Sequence, residues 1–314
     1  MLSNKKNNKK LIVITGPTAS GKTTLAVRLS SKINGEIISA DSRQIYRGMD
    51  IGTGKDLTEY RYEGKNIRYH LIDILDPSEN YSVYDFQKDF YSSYNKIIQS
   101  HRMPILCGGT GLYIESILLD YDLSNKPPPD HELRESLYKK SKEELLEILK
   151  NKVSNKDFSS MLLDTKKQIV RSIEISNNSH SSNFSFSPML DDALVVGVRV
   201  GREKLRERIK ERLISRIDAG MIDEVNALLK QGLPMQRLDY FGLEYKFIGQ
   251  LIRKEISRDG FIRDLTTAIR RFAKRQRTWF RRMEKRGVDI NWIDYDQFDS
   301  VYSLVKNNID GSKI

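Results

Sequence analysis

The sequence predicts an α/β protein built on a parallel sheet, with a helical insertion and a basic helical C-terminal region. Two observations carry that prediction. Over the first 120 residues, short β-branched apolar runs alternate with segments of helical period, as in successive β–α–β units. The alternation then gives way to a proline break and charged helical stretches, and strand character returns only near Ala193.

The elements follow in order. Leu11-Ile12-Val13-Ile14-Thr15 is an unbroken apolar run ended by Gly16, the pattern of a buried strand. Leu25, Leu29 and Ile33 then recur at helical spacing, so the local topology is strand, loop, helix. Glu36–Asp41, Arg68–Leu75, Pro104–Cys107 and Ala193–Val200 are the further strand candidates. Lys126-Pro127-Pro128-Pro129 makes a stiff break, and Asp130–Lys150 reads as one charged amphipathic helix. A second helix is expected over Lys166–Ile175, and the Ser- and Asn-rich stretch Ser176–Pro188 reads as a mobile loop. The economical division is one α/β domain, 1–120 with 191–314, interrupted by a helical insertion, 121–190. From Arg202 onward the chain reads as mostly helical and basic.

Composition bounds the chemistry. With 39% hydrophobic and 30% charged residues, the 314-residue chain has the make-up of an ordinary soluble enzyme. Cys107 is the only cysteine, which excludes an intramolecular disulfide and a cysteine metal cluster. The histidines, His70, His101, His131 and His180, lack ligand spacing. The apolar run behind the polar start is too short for a signal or membrane segment, so cytoplasm is expected. Charge is less ordinary. The segment 202–286 holds 23 Lys and Arg against 12 Asp and Glu, which equals the whole net charge of +11. A localised excess of that size suits a polyanion such as nucleic acid.

Gly16-Pro17-Thr18-Ala19-Ser20-Gly21-Lys22-Thr23 matches G-x4-G-K-[ST] in full, between a predicted strand and a predicted helix. The glycines let successive N–H groups face one anion at a helix N-terminus. Lys22 adds a point charge, and the Thr23 hydroxyl suits Mg²⁺. The fold is therefore P-loop NTPase-like, a three-layer parallel sheet. The loop specifies phosphate without naming a reaction. Gly108-Gly109-Thr110-Gly111 follows the fourth strand candidate, and it is either a tight turn or part of a site at the carboxyl edge of the sheet.

Further stretches accompany the loop: Ser39-Ala40-Asp41-Ser42-Arg43-Gln44-Ile45-Tyr46, Met49-Asp50-Ile51-Gly52-Thr53, Gly108-Gly109-Thr110-Gly111-Leu112-Tyr113, and Arg271-Phe272-Ala273-Lys274-Arg275-Gln276-Arg277-Thr278-Trp279-Phe280. In this order they closely resemble the tRNA dimethylallyltransferases (tRNA isopentenyltransferases), from about Leu11 to Arg282.

The resemblance implies transfer of a dimethylallyl group from dimethylallyl diphosphate to N6 of the adenosine beside the anticodon. The loop would hold the donor diphosphate with Mg²⁺, although the family is commonly described as ATP-binding. Asp41 would accept the amine proton; outside this motif, a strand-terminal Asp reads as a helix N-cap or an Mg²⁺ ligand. Thr110 would donate to the bridging oxygen, and Arg208 or Arg212, one turn apart on Arg202–Ile217, would complete the diphosphate clamp. The target base must be flipped out, with Ser42, Arg43 and Gln44 reading it and its neighbours. Arg134, Lys167, Gln168 and Arg171 would touch the anticodon arm. There the sequence departs from the family, with Gln168 for a usual basic residue and Gly242-Leu243-Glu244-Tyr245-Lys246 for a Gly-Tyr-Arg run.

The basic helix Asp264–Arg286 completes the expected RNA contacts. Leu265, Ile269, Phe272, Trp279 and Met283 should form its buried stripe, leaving Lys274, Arg275, Gln276 and Arg277 for RNA. Nine of the seventeen residues from Arg270 to Arg286 are basic, with Glu284 the one acid among them, so phosphate binding is the better account. The expected partners are tRNA and the diphosphate donor, with no membrane and a monomeric state. Two readings compete: a P-loop small-molecule kinase, and an RNA-binding protein that uses a nucleotide as a switch.

Overall fold

The computed structural model describes residues 10–121, 123, 130–161, 163, 165–177 and 192–310. Contacts divide the chain into two compact units, Met1–Tyr121 with Pro188–Ile314, and Asp122–Ser187.

The first unit is organised by a six-stranded sheet. In chain order come β1 (Lys10–Thr15), α1 (Lys22–Ile33) and β2 (Gly35–Ala40). A two-residue hairpin follows, β3 (Arg61–Tyr62) and β4 (Lys65–Asn66), then β5 (Tyr69–His70), α2 (Val83–Gln99), β6 (Met103–Gly108) and α3 (Gly111–Leu118). The sheet order is β5-β2-β6-β1-β7-β8, where β7 is Asp192–Arg199 and β8 is Ile290–Asp294. All five pairings are parallel. Ile12, Ile14, Ile37 and Val196 pack with Leu25, Ala26 and Leu29 of α1 and with Val301 and Val305 of α12 (Phe298–Asp310). Leu11, Val13 and Leu106 alternate with these residues onto the other face and are equally buried. Both faces of the central strands are thus covered, so β1 and β6 read as continuous apolar runs rather than alternating ones.

Two expectations in this unit need correcting. The expected strand Arg68–Leu75 is interrupted: Tyr69–His70 pair with β2 and Leu75 makes a parallel bridge to Tyr46, but Leu71 and Asp73 between them take left-handed φ values of 62° and 56°. Strand β8 and helix α2 carry no sequence assignment above, and α12 falls in the stretch expected to be mostly helical. The basic helix begins earlier than expected, at Arg258. The expected loop Ser176–Pro188 and the Lys126–Pro129 break lie, almost entirely or entirely, outside the described residues.

Helices dominate after β7: α8 (Arg202–Asp218), α9 (Met221–Lys230), α10 (Leu243–Ile252) and α11 (Arg258–Lys285). Their shared core joins Leu205, Ile209 and Leu213 of α8 to Phe261, Leu265 and Ile269 of α11, and to Ile45, Tyr46 and Met49 behind β2. That core fixes α8 and α11 to the loop after β2, and so places their polar faces at the carboxyl end of the sheet.

The second unit has its own small core of Leu137, Leu145, Leu149, Ile169, Val170 and Ile173. Here the single helix expected over Asp130–Lys150 is two, α4 (His131–Tyr138) and α5 (Lys142–Lys150). Ser141 explains the break. Its hydroxyl caps α5 in a reciprocal box with Glu144, a local alternative to continuing the helix. Two more helices follow, α6 (Asn155–Ser160) and α7 (Lys166–Ser176).

Candidate active site

The carboxyl ends of β1, β2 and β6 lie side by side in the sheet, and each is followed at once by residues of a single pocket. β1 leads into Gly16–Thr23, β2 into Asp41, and β6 into Gly109-Thr110. Ligands of open parallel sheets bind at this edge. The pocket measures about 720 Å³ and takes its other walls from α8, α11 and the turn Phe241–Glu244.

The phosphate loop is held tightly. A Cβ on Gly16 would sit 2.8 Å from Ser20 Oγ and 2.9 Å from Val198 O, so only glycine fits there. Gly21 has φ 88°, a left-handed turn that starts α1. Lys22 lines the pocket and lies within 3.5 Å of Pro17 O. Burial, more than any neighbour, lowers the Lys22 pKa, with Arg212 and Arg216 adding to the effect. An arriving diphosphate would supply the missing counter-charge.

Asp41 and Thr110 are oriented by backbone amides. Asp41 Oδ1 accepts from Arg43 N at 2.9 Å, and Thr110 Oγ1 accepts from Ser42 N at 3.1 Å. The Thr110 hydroxyl therefore still has its proton to give. Gly108 permits this approach, because a Cβ there would fall 2.2 Å from Ala40 O. Gln44 is engaged elsewhere: it accepts from Ser39 Oγ at 2.9 Å and donates to Gly54 O at 3.0 Å. Its side chain braces the loop. Arg43 lies over Tyr240, 5.2 Å from the ring centroid.

The loop after β2 has two further anchors that sequence reasoning missed. Lys55, buried, donates to Tyr46 O and Asp50 Oδ1 at 2.6 Å each and also pairs with Asp73. Glu224 accepts from the amides of Asp50, Ile51 and Gly52 at 2.7, 2.7 and 3.0 Å. The Met49–Thr53 stretch thus makes a nest around a carboxylate of α9, an arrangement that spacing alone could not show.

Arg208 and Arg212 both reach the pocket, and Arg216 joins them one turn further on. Arg208 Nη1 lies 3.5 Å from Ser20 O, with its guanidinium 4.0 Å from the Tyr295 ring centroid. Arg212 donates to the Thr18 hydroxyl, and Arg216 pairs with Asp56 at 3.1 Å. Burial, together with Arg216, pushes the Arg212 pKa down to about 10. Glu244 lines the same pocket with its pKa raised by burial, although the two arginines pull it the other way. The i, i+4 spacing of Arg208 and Arg212 was legible in the sequence, whereas Arg216 was missed there although it continues the same spacing.

Helix α11 differs from its expected pattern. Phe272 is 39% exposed at the pocket, whereas Gln276 is 7% exposed and buried with Ala273 and Phe280. Leu265, Ile269 and Met283 are buried as expected, so the stripe differs at Phe272, which leaves it, and at Gln276, which joins it. Two basic residues are also not free for phosphate. Arg282 and Arg286 bind Glu115 of α3, itself fully buried, at 2.6 and 2.5 Å. Arg275 lines the pocket; Lys274 and Arg277 are exposed.

In the second unit, Arg134 and Arg171 both bind buried Glu174, at 2.6 and 2.9 Å. Gln168 caps α7 with Thr165, accepting from its hydroxyl at 2.8 Å, and Lys167 is exposed. Of the four residues expected to touch RNA there, Arg134, Gln168 and Arg171 brace their own unit, and Lys167 stands out toward solvent.

No group of three or more His, Cys, Asp and Glu that could hold a metal occurs among the described residues. Cys107 lies under the pocket, where burial pushes its thiol up to about 12 and makes it a poor nucleophile.

The IPP transferase family model matches residues 44–283, and the isopentenyl transferase model matches residues 9–73. The chain belongs to the IPP transferase family. It is 46% identical to tRNA dimethylallyltransferase 1 of Syntrophus aciditrophicus, over 96% of this chain and 99% of that protein. It is 48% identical to tRNA dimethylallyltransferase 2 of Bacteroides fragilis strain ATCC 25285, over 90% of this chain and 92% of that protein. Among solved structures, the full-length tRNA isopentenylpyrophosphate transferase of Bacillus halodurans matches with a TM-score of 0.69 and 32% identity, over 97% of this chain and 96% of that one. A eukaryotic dimethylallyltransferase shares the fold with a TM-score of 0.75 at 21% identity, over 96% of this chain and 78% of that one. Family membership decides for a prenyl transferase over the kinase and the nucleotide switch.

Proposed function

We propose that the protein transfers a dimethylallyl group from dimethylallyl diphosphate to N6 of the adenosine at position 37 of tRNA, beside the anticodon. The observation that carries this reading is the meeting of Asp41, Thr110 and the loop Gly16–Thr23 in one pocket. In the step itself, N6 forms a bond to C1 of the donor, the C1–O bond breaks, and diphosphate leaves. Asp41, held at Oδ1 by the Arg43 amide, takes the N6 proton. Thr110 donates its hydroxyl proton toward the bridging oxygen while accepting from Ser42 N. Lys22, Arg208 and Arg212 stabilise the charge that develops on the leaving diphosphate.

A Mg²⁺ ion fits this donor set. Thr23 stands at the start of α1 beside Lys22, and Mg²⁺ commonly takes few protein ligands and completes its shell with phosphate oxygens and water. Thr23 would hold it, and the ion would add positive charge at the leaving group. Lys274, Arg275 and Arg277, with Lys167 of the second unit, are the proposed tRNA contacts, and Arg43 lies beside the flipped base.

The proposed setting is the cytoplasm, and the proposed state is a monomer. No helix among the described residues is long and apolar enough to cross a membrane. The decisive experiment incubates the protein with unmodified tRNA, Mg²⁺ and dimethylallyl diphosphate, digests the RNA and weighs the nucleosides. A gain of one C5H8 unit on adenosine is expected. No gain from this donor, with phosphate transfer from ATP instead, would overturn the reading.

A further inference from the structure

Gln276 stands out on α11 because it is buried amid a strongly basic helix and both ends of its amide are engaged. Its Oε1 accepts from Thr18 N at 2.8 Å, and its Nε2 donates to Gly109 O at 2.8 Å. Thr18 N is an amide of the phosphate loop, and Gly109 precedes Thr110. One side chain therefore bridges the two glycine-rich loops that flank the donor site. The glycine is shaped to it, since a Cβ on Gly109 would lie 2.5 Å from Gln276 Nε2 and 3.5 Å from Lys22 Cε. On the same helix, within two residues, stand the exposed Lys274, Arg275 and Arg277.

We infer that Gln276 is a positioning residue that couples tRNA binding on α11 to diphosphate binding in the loop Gly16–Thr23. The inference rests on the proposed function, which puts RNA on α11. A diphosphate orders the loop and fixes Thr18 N and, through the bridge, Gln276. RNA held by Lys274, Arg275 and Arg277 fixes the same turn of α11 from its other side. Each ligand thereby meets part of its ordering already done, so each tightens the other, and by linkage to the same degree.

The test is a binding cycle on the full chain, with no turnover required. Affinity for unmodified tRNA is measured with and without saturating inorganic diphosphate and Mg²⁺, and affinity for diphosphate with and without tRNA. The wild-type protein should show mutual tightening of about 5-fold or more, the usual lower range of coupling between sites. Gln276→Met keeps length and apolar packing but makes neither hydrogen bond, and its coupling should fall to within about twofold. Gln276→Glu keeps the acceptor for Thr18 N and sets a carboxylate oxygen against Gly109 O; it provides a second reading should the Met variant unfold, and it too should lose coupling. Independent binding of the two ligands to wild type overturns the inference, as does unchanged coupling in a folded variant. Failure of the proposed function would look different: wild-type protein would bind diphosphate but not tRNA.

Discussion

At the scale of single residues, the reaction depends most on Asp41. Asn keeps its size and its acceptor for the Arg43 amide, but cannot take a proton. Asp41→Asn should leave tRNA and donor affinity within a few-fold while the chemical step slows by roughly 10²–10⁴. Single-turnover kinetics is the proper measurement, because slow RNA release can mask the loss in kcat. A variant that has lost donor affinity instead would reassign Asp41 to the metal. Lys22 carries the second prediction. Its burial lowers its pKa, and only the charged amine attracts diphosphate. Donor affinity should therefore be full at low pH and decline as pH rises toward that lowered value, below the 10.5 of an ordinary lysine. Lys22→Ala should abolish most donor binding and flatten this limb of the pH profile; near-normal turnover would remove the loop from the donor site.

At the scale of the element, α11 combines two kinds of arginine with opposite consequences. Arg282 and Arg286 neutralise Glu115, whose carboxylate is fully buried. Removing both strands that charge, and a broken buried pair costs about 3–5 kcal/mol. The double variant Arg282→Ala, Arg286→Ala should show that loss in urea denaturation. Lys274, Arg275 and Arg277 face outward or into the pocket, so replacing them with Ala should change stability by under about 0.5 kcal/mol. The triple variant should instead bind tRNA more weakly, with the salt slope reduced by about 0.7–0.9 for each phosphate no longer neutralised. An unaltered slope would return this face to plain solvation. Counting charges along α11 could not separate the two classes, because the partner of Arg282 and Arg286 lies 167 and 171 residues away.

At the scale of the whole molecule, the two compact units have separate cores, and every residue lining the pocket belongs to the first. A chain in which a Gly-Ser linker replaces residues 122–187 should therefore bind inorganic diphosphate with Mg²⁺ within a few-fold of the full chain by calorimetry. Lost affinity in a shortened protein that still folds would make the insertion part of the donor site.

Much of this was written in local sequence. The phosphate loop and the β1 and β6 cores are set by short-range pattern, since glycine spacing and β-branched runs act on their own neighbours. Local pattern failed where a distant group competed with it. The expected strand Arg68–Leu75 is interrupted at Leu71–Asp73, where the chain turns left-handed and Asp73 meets Lys55, before Leu75 bridges to Tyr46. Gln44, expected to read a base, lines the pocket while also bonding Ser39 and Gly54. The buried stripe of α11 was read correctly at Leu265, Ile269 and Met283, but Gln276 was assigned to RNA although it is satisfied inside by two backbone groups more than 160 residues away. The sequence by itself determined which residue types could do the chemistry and the sheet edge at which they would gather. Only the tertiary structure decided which polar side chains remain free for ligands, because a buried hydrogen-bonding group must find a partner and the partner is chosen by the fold.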